Sequence, residues 1–139
     1  MGSINRDIVI DAPAEQVYAY VSDPRNAPRY ISSIKRIISG PDAPPAVGQE
    51  WVAEADFMGG AHTLNLRVAE LVPNTEVRFS LEGSINGHVS MLLTPSPRNT
   101  RTAVALYLGV ESVPTMLLNG LLGGLLGQDL QRLKRELDR

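Results

Sequence analysis

Between Gly48 and Leu108 the chain alternates polar and apolar residues, and its turns fold that alternation so that apolar residues meet. Trp51, Ala53, Ala55 and Phe57 occupy one side of a strand, opposite Glu50, Glu54 and Asp56. Gly59-Gly60 suits a two-residue hairpin, since both positions of a type I′ turn need positive φ. Folding there predicts the pairs Phe57–His62, Ala55–Leu64, Ala53–Leu66 and Trp51–Val68. A second turn at Pro73-Asn74 pairs Val68 with Phe79 and Leu66 with Leu81. Two independent turns thus place the same residues inward, as a curved antiparallel sheet with one buried face requires.

The next hairpin spans Gly83 to Gly87, closed by Glu82 and His88, with Val89, Met91 and Leu93 inward. After a turn from Pro95 to Thr100, Thr102, Val104, Leu106 and Leu108 read as the inner side of the last strand. Ala103, Ala105 and Tyr107 are apolar too, so a one-residue slip would exchange its faces. Upstream, Ile4, Ile8 and Ile10 define a first strand, Pro13 starts a short helix, and a second short helix between Pro24 and Ser33 is anchored by Tyr30 and Ile31. A strand from Ile34 to Ser39 and a proline-rich loop follow.

Beyond Ser112-Val113-Pro114 the period changes: leucines at 117, 118, 121, 122, 125, 126, 130, 133 and 137 have helical spacing. The half from Gln128 to Arg139 is charged and amphipathic. Met116 to Gly127 is uncharged, with Gly120, Gly123, Gly124 and Gly127 on the side opposite the leucines. Each interior glycine costs about 0.8–1 kcal/mol relative to alanine, so this half is expected to be compensated elsewhere or mobile.

Composition narrows the function classes. Fifteen acidic and thirteen basic residues leave a net charge of −2, without the basic excess that binds nucleic acid. The absence of cysteine excludes disulfides, thiolate metal sites and a cysteine nucleophile. The longest stretch free of Asp, Glu, Lys and Arg, from Ser112 to Gln128, is shorter than the ~20 apolar residues of a membrane span and is broken by glycines. With no leader pattern at Met1, the expectation is one soluble, cytoplasmic domain over residues 1–139, with no integral membrane association.

The element order, with Ala12-Pro13-Ala14-Glu15-Gln16-Val17, Asp23-Pro24, Pro28-Arg29-Tyr30, Gly48-x-x-Trp51 and Val68-x-Glu70-x-x-Pro73, resembles the START-like helix-grip (SRPBCC) superfamily, nearest its polyketide cyclase/dehydrase and lipid-transport group. The resemblance implies an α+β fold: a seven-stranded curved antiparallel sheet, two short helices after the first strand, and a long C-terminal helix gripped by the sheet over a hydrophobic cavity. Members include ligand carriers, aromatase/cyclases, coenzyme-Q-binding proteins and activators of the Hsp90 chaperone, so architecture is better specified than activity.

The residues offer little catalytic chemistry. G-x-S-x-G, the P-loop pattern and G-x-G-x-x-G are absent. His62 is the one imidazole expected near the inner face, where it could orient a carbonyl or shuttle a proton; a hairpin-end histidine reaching solvent is the plainer reading. His88 is expected outside, beside Tyr107, and a metal site from both histidines fails on spacing. Glu54, Asp56 and Arg67 share the outer face, with Arg67 diagonal to Glu54 as an exposed pair. The expectation is therefore a binding protein, needing no metal or cofactor, that shelters a small hydrophobic molecule such as a lipid, quinone or polyketide-like aromatic. Its expected contact residues are Tyr30, Trp51, Phe57, His62, Leu64, Leu66, Phe79, Leu81, Met91, Met116, Leu117 and Leu121. The glycines of the last helix are expected to leave room at the pocket mouth. The alternatives are a cyclase or dehydrase in which His62 or Tyr30 assists proton transfer, and a chaperone-like or membrane-peripheral protein acting through transient contacts of the Leu/Gly-rich helix.

Overall fold

A computed structural model describes residues 2–57 and 59–138. The strands are β1 (Gly2–Ile10), β2 (Ile34–Ser39), β3 (Glu50–Phe57), β4 (Gly60–Val72), β5 (Glu76–Gly83), β6 (Gly87–Pro95) and β7 (Thr102–Val110). They form one antiparallel sheet in the order β1-β7-β6-β5-β4-β3-β2. Helices α1 (Ala14–Val21) and α2 (Ala27–Tyr30), separated by a 3-10 turn at Pro24–Asn26, follow β1; α3 (Thr115–Leu137) ends the fold. This is the α+β helix-grip architecture that the resemblance implies, with the period change from two to 3.6 residues marking where the sheet ends and α3 begins.

The inner face is the predicted one. Trp51, Ala53, Ala55, Phe57, Leu64, Leu66, Val68, Phe79, Leu81, Met91 and Leu93 are all buried. On β7, Thr102, Val104, Leu106 and Leu108 are buried while Ala103 and Ala105 are exposed, which resolves the ambiguity in favour of the first set. Thr102 tolerates full burial because its hydroxyl donates to the Ala12 carbonyl at 2.8 Å.

Two hairpin registers differ from expectation, each by two residues. In β3–β4 the pairs are Phe57–Gly60, Ala55–His62, Ala53–Leu64 and Trp51–Leu66. Gly59 takes the positive φ (81°) and Gly60 already belongs to β4, so the turn falls one residue earlier. In β5–β6, His88 pairs with Ser80 rather than Glu82, because β5 beyond Leu81 pairs only toward β4, where Gly83 opposes Leu64. A shift of two leaves every side chain on its own face, so hydrophobic patterning cannot detect it. The Pro73-Asn74 turn, with Asn74 at φ 61°, has the expected register.

Helix α1 begins at Pro13 without a side-chain cap of its own. Asn99, in the β6–β7 turn at φ 53°, supplies one: its Oδ1 accepts from the Ala14 N–H at 2.9 Å, and its Nδ2 donates to the Glu15 carboxylate. A hydrogen bond from the Glu15 backbone, and then the one from Asn99, hold the Glu15 carboxyl below its ordinary range.

Helix α3 packs along the edge strand β1 and also against α2. The Ser3 N–H donates to Thr115 Oγ1 at 3.1 Å, and Arg6 donates to Asn119 Oδ1 at 2.8 Å. At the far end the Asp11 N–H donates to Asp138 Oδ1, whose carboxylate Lys134 also holds. Among the described residues no helix is long and apolar enough to cross a membrane.

Candidate functional site

The inner face of the sheet and α3 do not fill the space between them. A cavity of about 120 Å³ remains, bounded by α2, by β3 to β7 and by the middle of α3. Its sheet wall is built from Phe57, Leu64, Leu66, Phe79, Leu81 and Met91, with Leu106 and Leu108 from β7. Tyr30 and Ile31 close one end, while Leu122, Leu125, Leu126 and Leu130 form the roof. A void lined this way stays dry, and one of roughly 150 Å³ admits benzene. At the rim, Leu125 and Ile85 line the cavity yet keep part of their surface in solvent. The rim therefore lies between the β5–β6 turn and the first half of α3.

Of the expected contact residues, the structure brings Tyr30, Phe57, Leu64, Leu66, Phe79, Leu81 and Met91 together around this space. The other five stand elsewhere. Trp51 is buried outside the cavity wall, against Gly40 on one side and with the Arg25 guanidinium 5.7 Å from its ring centre. A Cβ on Gly40 would lie 2.0 Å from the indole, so that contact needs glycine. His62 does not reach the cavity: it pairs with Ala55, its ring stacks on Phe57 at 4.2 Å between centres, and its Nε2 lies 3.1 Å from the Phe57 carbonyl oxygen. Met116 (88% exposed), Leu117 (53%) and Leu121 (41%) turn to solvent, because the helix faces the core with Leu118, Leu122, Leu126 and Leu130 instead.

The glycines correct a second expectation. A Cβ on Gly120, Gly124 or Gly127 would meet nothing within 4 Å, so these residues face outward and create no pocket volume. Gly123 is the exception to their sharing one side. It is buried, with Asn119 and the Arg6 guanidinium against it, and so lies over the β1 edge.

Polar groups in the wall are few. Asp23 is turned to Arg25, whose backbone and guanidinium both donate to its carboxylate. Asp129 is different: it lies in the wall on the buried face of α3, 3% exposed. Its Oδ1 accepts from the Ser32 N–H at 3.1 Å, tying α3 to the loop after α2, and the Arg132 guanidinium is 3.9 Å away. Its Oδ2 and the neighbouring Ser32 hydroxyl have no partner. Burial pushes the Asp129 carboxyl up, against the lowering pull of Ser32 and Arg132. Burial likewise raises the Tyr30 phenol, with Tyr20 and the Asp129 charge adding to it, so Tyr30 is a neutral wall residue. Sequence reasoning missed Asp129 because it begins a charged helical segment. The available signal was position: it falls three residues after Leu126 and four before Leu133, on the leucine face.

His88 stacks on Tyr107 on the outer face, 5.2 Å between ring centres, as expected. Glu54 is held by Arg36 of β2 instead of Arg67, which pairs across from Glu50. Among the described residues no cluster of three or more metal-ligating side chains occurs.

No curated protein matches the chain. Solved structures do match its fold. A START superfamily protein from Mycobacterium smegmatis superimposes with a TM-score of 0.81 at 17% identity, over 99% of this chain and 97% of that one. The Zhui aromatase/cyclase from Streptomyces sp. R1128 gives 0.75 at 13% identity, over 96% and 92%. Aha1 from Colwellia psychrerythraea, described as a dimer, gives 0.70 at 21% identity, over 99% and 97%. At these identities the likeness is one of fold. The sequence profile described as "Polyketide cyclase / dehydrase and lipid transport" matches residues 1–138, and the chain therefore belongs to that family.

Proposed function

We propose that this protein binds a small hydrophobic molecule in the cavity between sheet and α3. The observation that carries this reading is an internal space of about 120 Å³ with an almost wholly apolar wall. Each 100 Å² of apolar guest surface withdrawn from water contributes roughly 2.5 kcal/mol, without any directional contact. The space as it stands suits a guest of about one aromatic ring. A lipid, quinone or polyketide-like aromatic requires the roof to lift, and the rim at Ile85 and Leu125 supports opening at the first half of α3. Exposed Met116, Leu117 and Leu121 on the same segment support a transient apolar contact during loading.

The cyclase or dehydrase reading draws less support. His62 lies outside the wall with a ring nitrogen against a backbone carbonyl, and the Tyr30 phenol is raised away from the range useful for proton transfer. Native mass spectrometry of the freshly purified protein, followed by titration with apolar compounds from benzene to palmitate, tests the binding reading. The expected result is a co-purifying apolar species or uptake of at least one compound, weakened in a folded Leu64→Phe variant whose larger side chain intrudes on the cavity. A folded protein that carries nothing and takes up none of the series overturns it.

A further inference from the structure

Helix α3 places one ionisable residue among the leucines of its buried face. Asp129 lies in the cavity wall beside Leu126 and Leu130, 3% exposed. Its structural task, accepting the Ser32 N–H, occupies one carboxyl oxygen. The second oxygen is buried without a hydrogen-bond partner, although an unsatisfied buried oxygen is costly to keep. The Ser32 bond therefore leaves half of the side chain's polar capacity unused inside an apolar wall.

Resting on the ligand-binding function proposed above, we infer that the free oxygen of Asp129 recognises the hydroxyl group of an otherwise apolar guest. A hydroxyl suits this site better than other polar groups. It donates to a carboxylate and accepts from a carboxylic acid, so it satisfies Asp129 in either protonation state. A carbonyl can only accept, and is matched only by the acid. An ammonium group would bring a full charge into an apolar space whose two wall carboxylates already face guanidinium groups, Asp129 with Arg132 at 3.9 Å and Asp23 with Arg25 at 2.8 Å. The guest class is thus an alcohol or phenol: its apolar body fills the cavity, and its one polar end lies at the α2–α3 junction, away from the rim at Leu125 and Ile85.

Phenol and benzene, similar in size and differing by one hydroxyl, are the probes. Each is titrated into the wild-type protein and into Asp129→Leu and Asp129→Asn variants and followed by NMR. The phenol-to-benzene affinity ratio is expected to fall about tenfold in Asp129→Leu and to survive largely in Asp129→Asn, whose amide still donates. In the wild type the Asp129 carboxyl carbon resonance is expected to move with phenol and stay with benzene, a readout that does not depend on the leucine variant folding. Equal ratios in wild type and folded Asp129→Leu, or a carboxyl resonance indifferent to phenol, overturn the inference while leaving the binding function intact. Failure of both compounds to bind the wild type overturns the inference in its tested form, whereas the binding function falls only if the wider apolar series fails as well.

Discussion

The first half of α3 carries six leucines and the second only three, yet the second is the better anchored. From Asp129 onward the helix is anchored: Leu130 and Leu133 are buried, Asp129 holds the Ser32 N–H, and Lys134 with Asp138 engages Asp11. From Thr115 to Gly127, only Leu118 and Gly123 are buried, while Leu117, Leu121 and Leu125 show large apolar surface and three glycines face open solvent. The first half is tied to the edge strand β1 by Ser3–Thr115 and Arg6–Asn119 rather than by core packing. With core anchorage at one end and only edge-strand hydrogen bonds at the other, α3 is expected to behave as a hinged cover that opens at its first half, and the contrast shows that leucine spacing does not by itself measure anchorage.

The sharpest break between the halves is expected from truncation. Leu133→Ala removes a fully buried side chain (0% exposed) and should cost about 2–5 kcal/mol in urea unfolding. Leu121→Ala, at 41% exposure, should cost a small fraction of that. Equal losses would dissolve the distinction. Hydrogen exchange sharpens it without mutation: amides from 129 to 136 should be protected well beyond those from 117 to 127, and uniform protection would refute the hinged cover.

Glycine replacement gives a smaller effect of opposite sign. Gly120→Ala and Gly124→Ala meet nothing within 4 Å, so each should stabilise the protein by about 0.5–1 kcal/mol while slowing guest uptake. Gly123→Ala should not share that gain, since its Cβ would lie 2.5 Å from Asn119 Oδ1 and 2.7 Å from Arg6 Nη2. Thermal melts of the three variants decide it.

The anchored half also has a pH signature. Burial raises the Asp129 carboxyl, countered by Ser32, whose N–H donates to it, and by the Arg132 charge. A carboxyl raised on folding stabilises the native state while protonated, and that contribution is lost as pH rises through the folded value. Asp129→Asn, which keeps the acceptor for Ser32, should therefore gain stability relative to wild type between pH 4 and pH 7. An unchanged difference between the two proteins across that window would show that Asp129 ionises at no cost.

Side-chain facing, the positions of most turns and the change to a terminal helix were readable along the chain, because a strand repeats every two residues and a helix every 3.6. That reading already collected six cavity residues, Phe57, Leu64, Leu66, Phe79, Leu81 and Met91, on one face of the sheet, and named Tyr30 as the anchor of a short helix. Tertiary structure decided what periodicity cannot express. Hairpin registers shift by two without changing a face, Asn99 caps a helix 85 residues before it, and Trp51 is claimed by Gly40 and Arg25. Exposure of Leu117 and Leu121, and burial of Asp129, depend on where α3 crosses the sheet and on Ser32 approaching it from 97 residues away. Local spacing specifies which way a side chain points; what it meets there is settled only when distant segments pack.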